Sequence, residues 1–263
     1  MSDSADDLVT YELRGAVALI GLDREAKRNA ISDRLVESLH LAATRAQEEA
    51  RAAVIWGRGN HFCAGLDLAE HSEKPLMGAI RGSRRWHEVF TGFERGTIPF
   101  VSALQGAVVG GGFELAAATH VRVAEEGAFF GLPEGQRGIF VGGGGSARIA
   151  RLIGAARMAD MMLTGRTVSA GRMESWGGVS YVVPAGEALA RALELAEAAA
   201  SNAPLSNYAI LNALPRISEM SVEDGLFVES VVSAVTSVTP EAAERLRDFL
   251  ERRTARLAAP EEG

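Results

Sequence analysis

Two glutamates, each placed shortly after glycine, are the residues of this chain best suited to chemistry. Glu114 closes the run Gly110-Gly111-Gly112-Phe113-Glu114, and Glu134 closes Phe130-Gly131-Leu132-Pro133-Glu134. Paired carboxylates suit acid/base catalysis when their surroundings differ enough for one to donate a proton while the other accepts one. The glycine run adds a second capability. Without Cβ atoms the backbone approaches a ligand closely, and N–H groups left unpaired at a helix start can hold an anionic oxygen together with the helix dipole. Taken singly, a glutamate after proline is ordinarily a surface residue and a glycine run an ordinary turn, so the significance lies in their combination.

The elements that must position these groups follow from periodicity. Residues 9–13 and 17–22 alternate as two strands around Arg14-Gly15 and predict a hairpin. Ser32 is placed to cap a helix to about Ala50, with Leu35, Leu39, Ala42 and Ala46 on one face. Residues 53–56 read as a short buried strand, 60–68 as a loop entering a helical turn, and 77–93 as a helix. The apolar run 100–109 predicts one buried strand leading into the glycine turn, followed by a helix over 112–119. Strands at 121–124 and 128–130 and a helix at 146–152 come next, and everything after Val183-Pro184 reads as helical. Thr239-Pro240 is a cap and first-turn pair for a last helix whose apolar face is Leu246, Phe249, Leu250 and Leu257. Such a face calls for cover by the body or by a neighbouring subunit.

Read in order, three segments resemble the crotonase, or enoyl-CoA hydratase/isomerase, superfamily. Phe62-Cys63-Ala64-Gly65-Leu66-Asp67-Leu68 is similar to the family's Phe-x-Ala-Gly-x-Asp-Leu loop, and the two glycine-glutamate segments above match its next two motifs. Lys27-Arg28-Asn29-Ala30 and Phe249-Leu250-Glu251-Arg252-Arg253 add weaker matches, so the likeness runs from about residue 10 to 253. It implies an α/β fold: a crotonase-like spiral of ββα units over 8–184 with the CoA-ester site, and a helical C-terminal trimerisation region over 185–257. It also implies an enoyl-CoA hydratase, a hydro-lyase of acyl-CoA and fatty acid metabolism such as β-oxidation, adding water across a 2,3-enoyl thioester. Glu114 and Glu134 would activate water and deliver a proton to the α-carbon. The amides of Ala64 and Gly111 would form the oxyanion hole, where losing one donor typically costs about 3 kcal/mol. Substrate contacts would come from Lys27, Arg28, Ala30, Ala64, Gly65, Leu66, Asp67, Leu68, Gly110 and Arg252, the cations meeting the phosphates of coenzyme A. The alternatives are an enoyl-CoA isomerase or aryl-enoyl-CoA hydratase/lyase of the same fold, and a non-catalytic acyl-CoA-binding subunit.

Departures from the family pattern concern the acyl group more than the chemistry. Val141-Gly142-Gly143-Gly144-Gly145-Ser146-Ala147-Arg148-Ile149 stands where hydratases commonly read Pro-Gly-x-Gly-Gly-Thr-Gln-Arg-Leu, and Thr119-His120 replaces a frequent Cys-Asp. The four glycines lack a P-loop's Gly-Lys-Ser/Thr ending and read as a close-packing turn near the second glutamate. Cys63 is the only cysteine among 263 residues, which excludes an intrachain disulfide and a cysteine-rich metal site. A net charge of -7 disfavours nucleic acid as a partner, and no apolar run reaches membrane-spanning length. The acidic start, 1–7, lacks a secretory pattern, so a cytoplasmic protein is expected. The expected assembly is a homotrimer or homohexamer. No metal or redox cofactor is expected, coenzyme A being part of the substrate.

Overall fold

The computed structural model describes residues 8–71 and 75–251. The described residues divide into two compact units, with the boundary between Ser201 and Asn202. In the first, β1 (Val9–Arg14) and β2 (Val17–Leu22) form the expected antiparallel hairpin. The Ser32 hydroxyl accepts from the Leu35 amide at 3.2 Å and caps α1 (Asp33–Glu49), which buries Leu35, Leu39, Ala42 and Ala46. β3 (Ala52–Gly57) runs parallel to β2, and after the turn α2 (Leu68–His71) comes the long helix α3 (Leu76–Glu94).

The apolar run 100–109 is two strands instead of the single one expected. β4 (Phe100–Leu104) lies in a six-stranded sheet and β5 (Ala107–Val109) in a three-stranded one. Gly106 makes the break: its φ of +54 suits a residue without Cβ, and the Gln105 amide side chain donates to the Gly57 carbonyl at the crossing. β5 leads into α4 (Gly111–Ala117), followed by β6 (Val121–Glu125), β7 (Phe129–Gly131), α5 (Gly145–Ile153), α6 (Ala155–Thr164), β8 (Val168–Ser169), α7 (Ala170–Ser175), β9 (Tyr181–Val183) and α8 (Ala188–Ala200). The large sheet has the order β1-β2-β3-β4-β6-β9, parallel except for the hairpin; the small one is β5-β7-β8.

Both faces of the large sheet are covered, which is why its central strands are apolar throughout and do not alternate with polar residues. Ala18, Ile20, Ala53, Ile55, Phe100 and Leu104 face a core shared with α1 and α3. Their neighbours Val17, Leu19, Ala52, Val54, Val101 and Ala103 face α8, which meets them with Ala188, Ala192, Ala196 and Ala200. Alanine at every fourth position lets this helix lie close against the strands. The compact unit therefore runs past the 184/185 division read from the sequence, because α8 belongs to the sheet.

His120 ties the end of α3 to the start of β4. Its Nδ1 accepts from the Phe100 amide at 3.0 Å, so Nε2 carries the proton and donates to the Glu94 carbonyl at 3.1 Å. Burial lowers its pKa, consistent with the neutral ring this pairing needs.

The second unit is helical: α9 (Pro204–Asn212), α10 (Leu214–Ile217), α11 (Val222–Ser237) and α12 (Pro240–Leu250). Thr239 caps α12 as expected, its hydroxyl accepting from Ala242 at 3.1 Å. Leu246, Phe249 and Leu250 are exposed, as are Phe227, Val231 and Val235 on α11; Leu257 lies outside the described residues. Among the described residues no helix is long and apolar enough to cross a membrane.

The alanine face of α8 makes a direct prediction. Ala196→Leu forces a large side chain between helix and sheet and is expected to cost about 1–3 kcal/mol in urea unfolding. An unchanged unfolding midpoint would contradict the packing described.

Candidate active site

The three segments that stand out in the sequence lie side by side as backbone. Val108 pairs with Phe130 in parallel register within β5 and β7, and on its other side Cys63 forms a parallel bridge to the same Val108. Cys63 N–H donates to Ala107 at 3.0 Å, Val109 N–H to Cys63 at 3.0 Å, and Gly110 N–H to Gly131 at 2.9 Å. Each strand ends just before a candidate group, so the register brings Leu66, Gly111, Glu114 and Glu134 around one cavity of about 70 Å³. One wall of that cavity is α3, through Ala79, Gly82, Ser83 and Trp86; another is the loop Ile139-Phe140-Val141-Gly142.

Glu114 sits in the first turn of α4, 3% exposed. Its Oε1 accepts from the amides of Gly143 and Gly145, both at 2.8 Å. The glycine turn 142–145 thus serves the first glutamate and not the second, contrary to its expected place. Burial raises the pKa of Glu114, and the glycine amides and the charge of Arg148 pull against that rise by favouring the ionised form.

Glu134, 6% exposed, is placed differently: its Oε2 is buried without a hydrogen-bond partner among the described residues. Its pKa is pushed up to about 7, chiefly by burial, with its own backbone amide and Arg137 opposing the rise and the charge of Glu114 adding to it. The carboxyl whose Oε2 finds no partner is poised to hold a proton near neutrality; at the other, glycine amides and Arg148 oppose the rise that burial causes. Gly110 permits the approach. Its φ of +51 with ψ of -121 suits glycine, and a Cβ there would stand 2.7 Å from Glu134 Oε1.

The oxyanion donors need one correction. Gly111, the first residue of α4, has no acceptor for its N–H among the described residues, as expected for a helix start. Ala64 does not offer a free amide: its N–H donates to the Arg28 carbonyl at 2.9 Å, and it does not line the cavity. The loop pairs with residues 28–31, Ile31 N–H donating to Gly65 at 2.7 Å and Asp67 N–H to Ile31 at 2.9 Å. Parallel pairing turns alternate residues the opposite way. The free amide of this loop is therefore that of Leu66, which does line the cavity. Motif matching alone left the choice of residue to likeness, whereas hydrogen-bond alternation along the loop decides it.

The remaining candidates scatter. Asp67 is held by Arg24 Nη1 at 2.8 Å, which lowers its pKa, so its carboxylate ties the loop to the 24–30 segment. Ala30 contributes a carbonyl to Arg24 at 3.0 Å, and Gly65 a carbonyl to Ile31. Lys27, Arg28 and Leu68 are exposed beside the loop and do not line the cavity. Arg252 lies outside the described residues. Cys63 is fully buried, its thiol donating to the Asn29 carbonyl at 3.0 Å and its pKa pushed up to about 12 by burial, which fits a structural thiol and not a nucleophile. On α3, Trp86 lines the cavity and Phe90 is core, while Met77 is exposed. Ser83, Gly143 and Gly145 went unassigned in the sequence because their roles depend on backbone contacts 29 or more residues away.

A sequence profile of the enoyl-CoA hydratase/isomerase family matches residues 12–259. Enoyl-CoA hydratase EchA19 of Mycobacterium tuberculosis is 32% identical over 248 residues, covering 92% of this chain and 93% of its own. The 2,3-dehydroadipyl-CoA hydratase of Escherichia coli is 34% identical, covering 90% and 93%. A crystal structure from Rhodopseudomonas palustris CGA009 is 47% identical and superposes with a TM-score of 0.91 over 96% of this chain and 98% of that one.

The raised pKa of Glu134 has a consequence for stability. Its folded value of about 7 exceeds the ordinary 4.5, so the folded protein binds this proton more tightly than the unfolded chain. The group's contribution to stability is complete below about pH 4.5, declines as pH rises, and is lost above about pH 7. The melting temperature of Glu134→Gln, which cannot ionise, should therefore gain on that of the wild type between about pH 5 and pH 8.5. An equal difference at both pH values would contradict the assignment.

Proposed function

As the chain belongs to the enoyl-CoA hydratase/isomerase family, we propose that it adds water reversibly across the 2,3 double bond of an enoyl-CoA thioester, giving a 3-hydroxyacyl-CoA. The observation that carries this reading is the convergence of two unlike carboxyls and two free amides on one cavity. In the reading, the thioester oxygen accepts from the amides of Leu66 and Gly111, which stabilise the enolate charge as it develops. Glu114, whose glycine donors oppose the rise that burial causes, acts in its ionised form and takes a proton from water as the oxygen attacks C3. Glu134, protonated near neutrality, delivers its proton to C2. The proton on Glu114 then returns to Glu134 through the shared cavity or solvent, and the starting state is restored. No metal or redox cofactor enters these steps.

Two carboxylates favour hydration over moving the double bond, for which one proton shuttle suffices. Lys27 and Arg28 are assigned to the phosphates of coenzyme A, since both are exposed beside the loop that carries Leu66. A homotrimer or homohexamer belongs to the same reading. Its support is the apolar surface of the C-terminal unit, where Phe227 is 71% and Leu250 70% exposed in the single chain.

Crotonyl-CoA incubated with the protein in ¹⁸O-water is expected to lose its conjugated absorbance and give a product labelled at the 3-hydroxyl. Loss of conjugation without label would indicate an isomerase, and binding without turnover a silent CoA-ester binder. Glu114→Gln and Glu134→Gln should each lower kcat by about 10²–10⁴-fold while thioester binding persists. Full activity in either would remove that residue from the mechanism. Light scattering on the eluting protein should give three or six chains, and a monomer would exclude the assembly.

A further inference from the structure

The turn 142–145 is four consecutive glycines, the backbone with the most freedom to lose, yet two of its amides aim at a single carboxylate oxygen. Something must hold its other edge. Arg148, on the first turns of α5, has a side chain 10% exposed whose donors reach three acceptors. Nε pairs with Glu94 Oε2 at 2.8 Å, Nη2 donates to Thr91 Oγ1 at 3.0 Å, and Nη1 donates to the Gly143 carbonyl at 3.2 Å. The same peptide run is tied once more from α3, where the Ser83 hydroxyl donates to the Gly142 carbonyl at 2.7 Å.

We infer that Arg148, braced by Thr91 and Glu94 at the end of α3, is a positioning residue: it grips the carbonyl edge of the glycine turn so that the amide edge stays on Glu114. Arg148 does not line the cavity, so it acts through the turn and not on a substrate. A planar guanidinium with a fixed fork of donors suits a task that needs three acceptors satisfied at once, which an ammonium meets less well. His120 strengthens the brace by holding the Glu94 backbone. Arg148 is the charged group that acts on Glu114, and Glu114 and Arg137 are those that act on Glu134. His87, packed on α3 beside Ser83, is a further titratable neighbour of Arg148. The inference rests on the hydratase reading for its kinetic consequence but not for its structural one.

The test uses the full-length chain with Arg148→Gln, Arg148→Lys and Glu94→Gln. It reads kcat and KM with crotonyl-CoA, and separately the titration of Glu114 by ¹³C-carboxyl NMR against Glu114→Gln. Arg148→Gln should lower kcat by about 10–100-fold with KM little changed, because a displaced turn misplaces the base. Arg148→Lys should recover part of that loss. In Arg148→Gln the Glu114 titration should move to higher pH, since a positive charge and two well-aimed amides, all favouring the carboxylate, are weakened together. Wild-type kcat and an unmoved titration in a folded Arg148→Gln protein overturn the proposal. Should that variant not fold, the same two outcomes in Arg148→Lys and Glu94→Gln overturn it. Should the wild type hydrate no enoyl-CoA, the functional reading fails while the NMR titration still decides the role of Arg148.

Discussion

Backbone pairing among three short segments is the constraint on which the site depends. Cys63 lies beside Val108 and Val108 beside Phe130, in parallel register, and each candidate group follows within a few residues of one of these positions. Side chains alone do not hold such an arrangement to a fraction of an ångström, whereas ladder hydrogen bonds fix both spacing and direction. The edge contact of Phe113 and Phe130, with centroids 5.1 Å apart, packs α4 against β7. The cavity is therefore built before any ligand arrives.

Much of this was legible in the chain and some was not, for identifiable reasons. The hairpin, α1 and its Ser32 cap, α3 and the capped final helix follow from local periodicity and local hydrogen bonds, which a sequence displays directly. The division of residues 100–109 was hidden because an apolar run looks the same whether it crosses one sheet or two, and only the turn at Gly106 separates the cases. Glu114 and Glu134 stood out by type and spacing. Whether Ala64 or Leu66 offers the free amide could not be read, since it depends on which residues of the loop pair with the 28–31 backbone. The partners of Glu114 were equally invisible, being glycine amides with no side chain to announce them.

The two carboxyls acquire different characters from simple causes. Both are buried, and burial alone would raise both pKa values. Glu114 receives the amides of the glycine turn, Glu134 only its own backbone amide, and the charge of Glu114 adds to the rise at Glu134. The asymmetry needs no unusual residue, only a glycine turn that reaches one carboxylate and stops short of the other.

Helix α3 contributes a wall of the cavity through Ala79, Gly82, Ser83 and Trp86, and it also braces the glycine turn through Ser83, Thr91 and Glu94. These duties fall on different positions of one cylinder. On the hydratase reading, enlarging the side chain at Ala79 or Gly82 reshapes the space open to an acyl tail without altering Glu114 or Glu134, so a lineage can drift from one thioester to another there. A change at Ser83 alters tail and turn together, which makes it the position where altered preference and lost turnover become hard to separate.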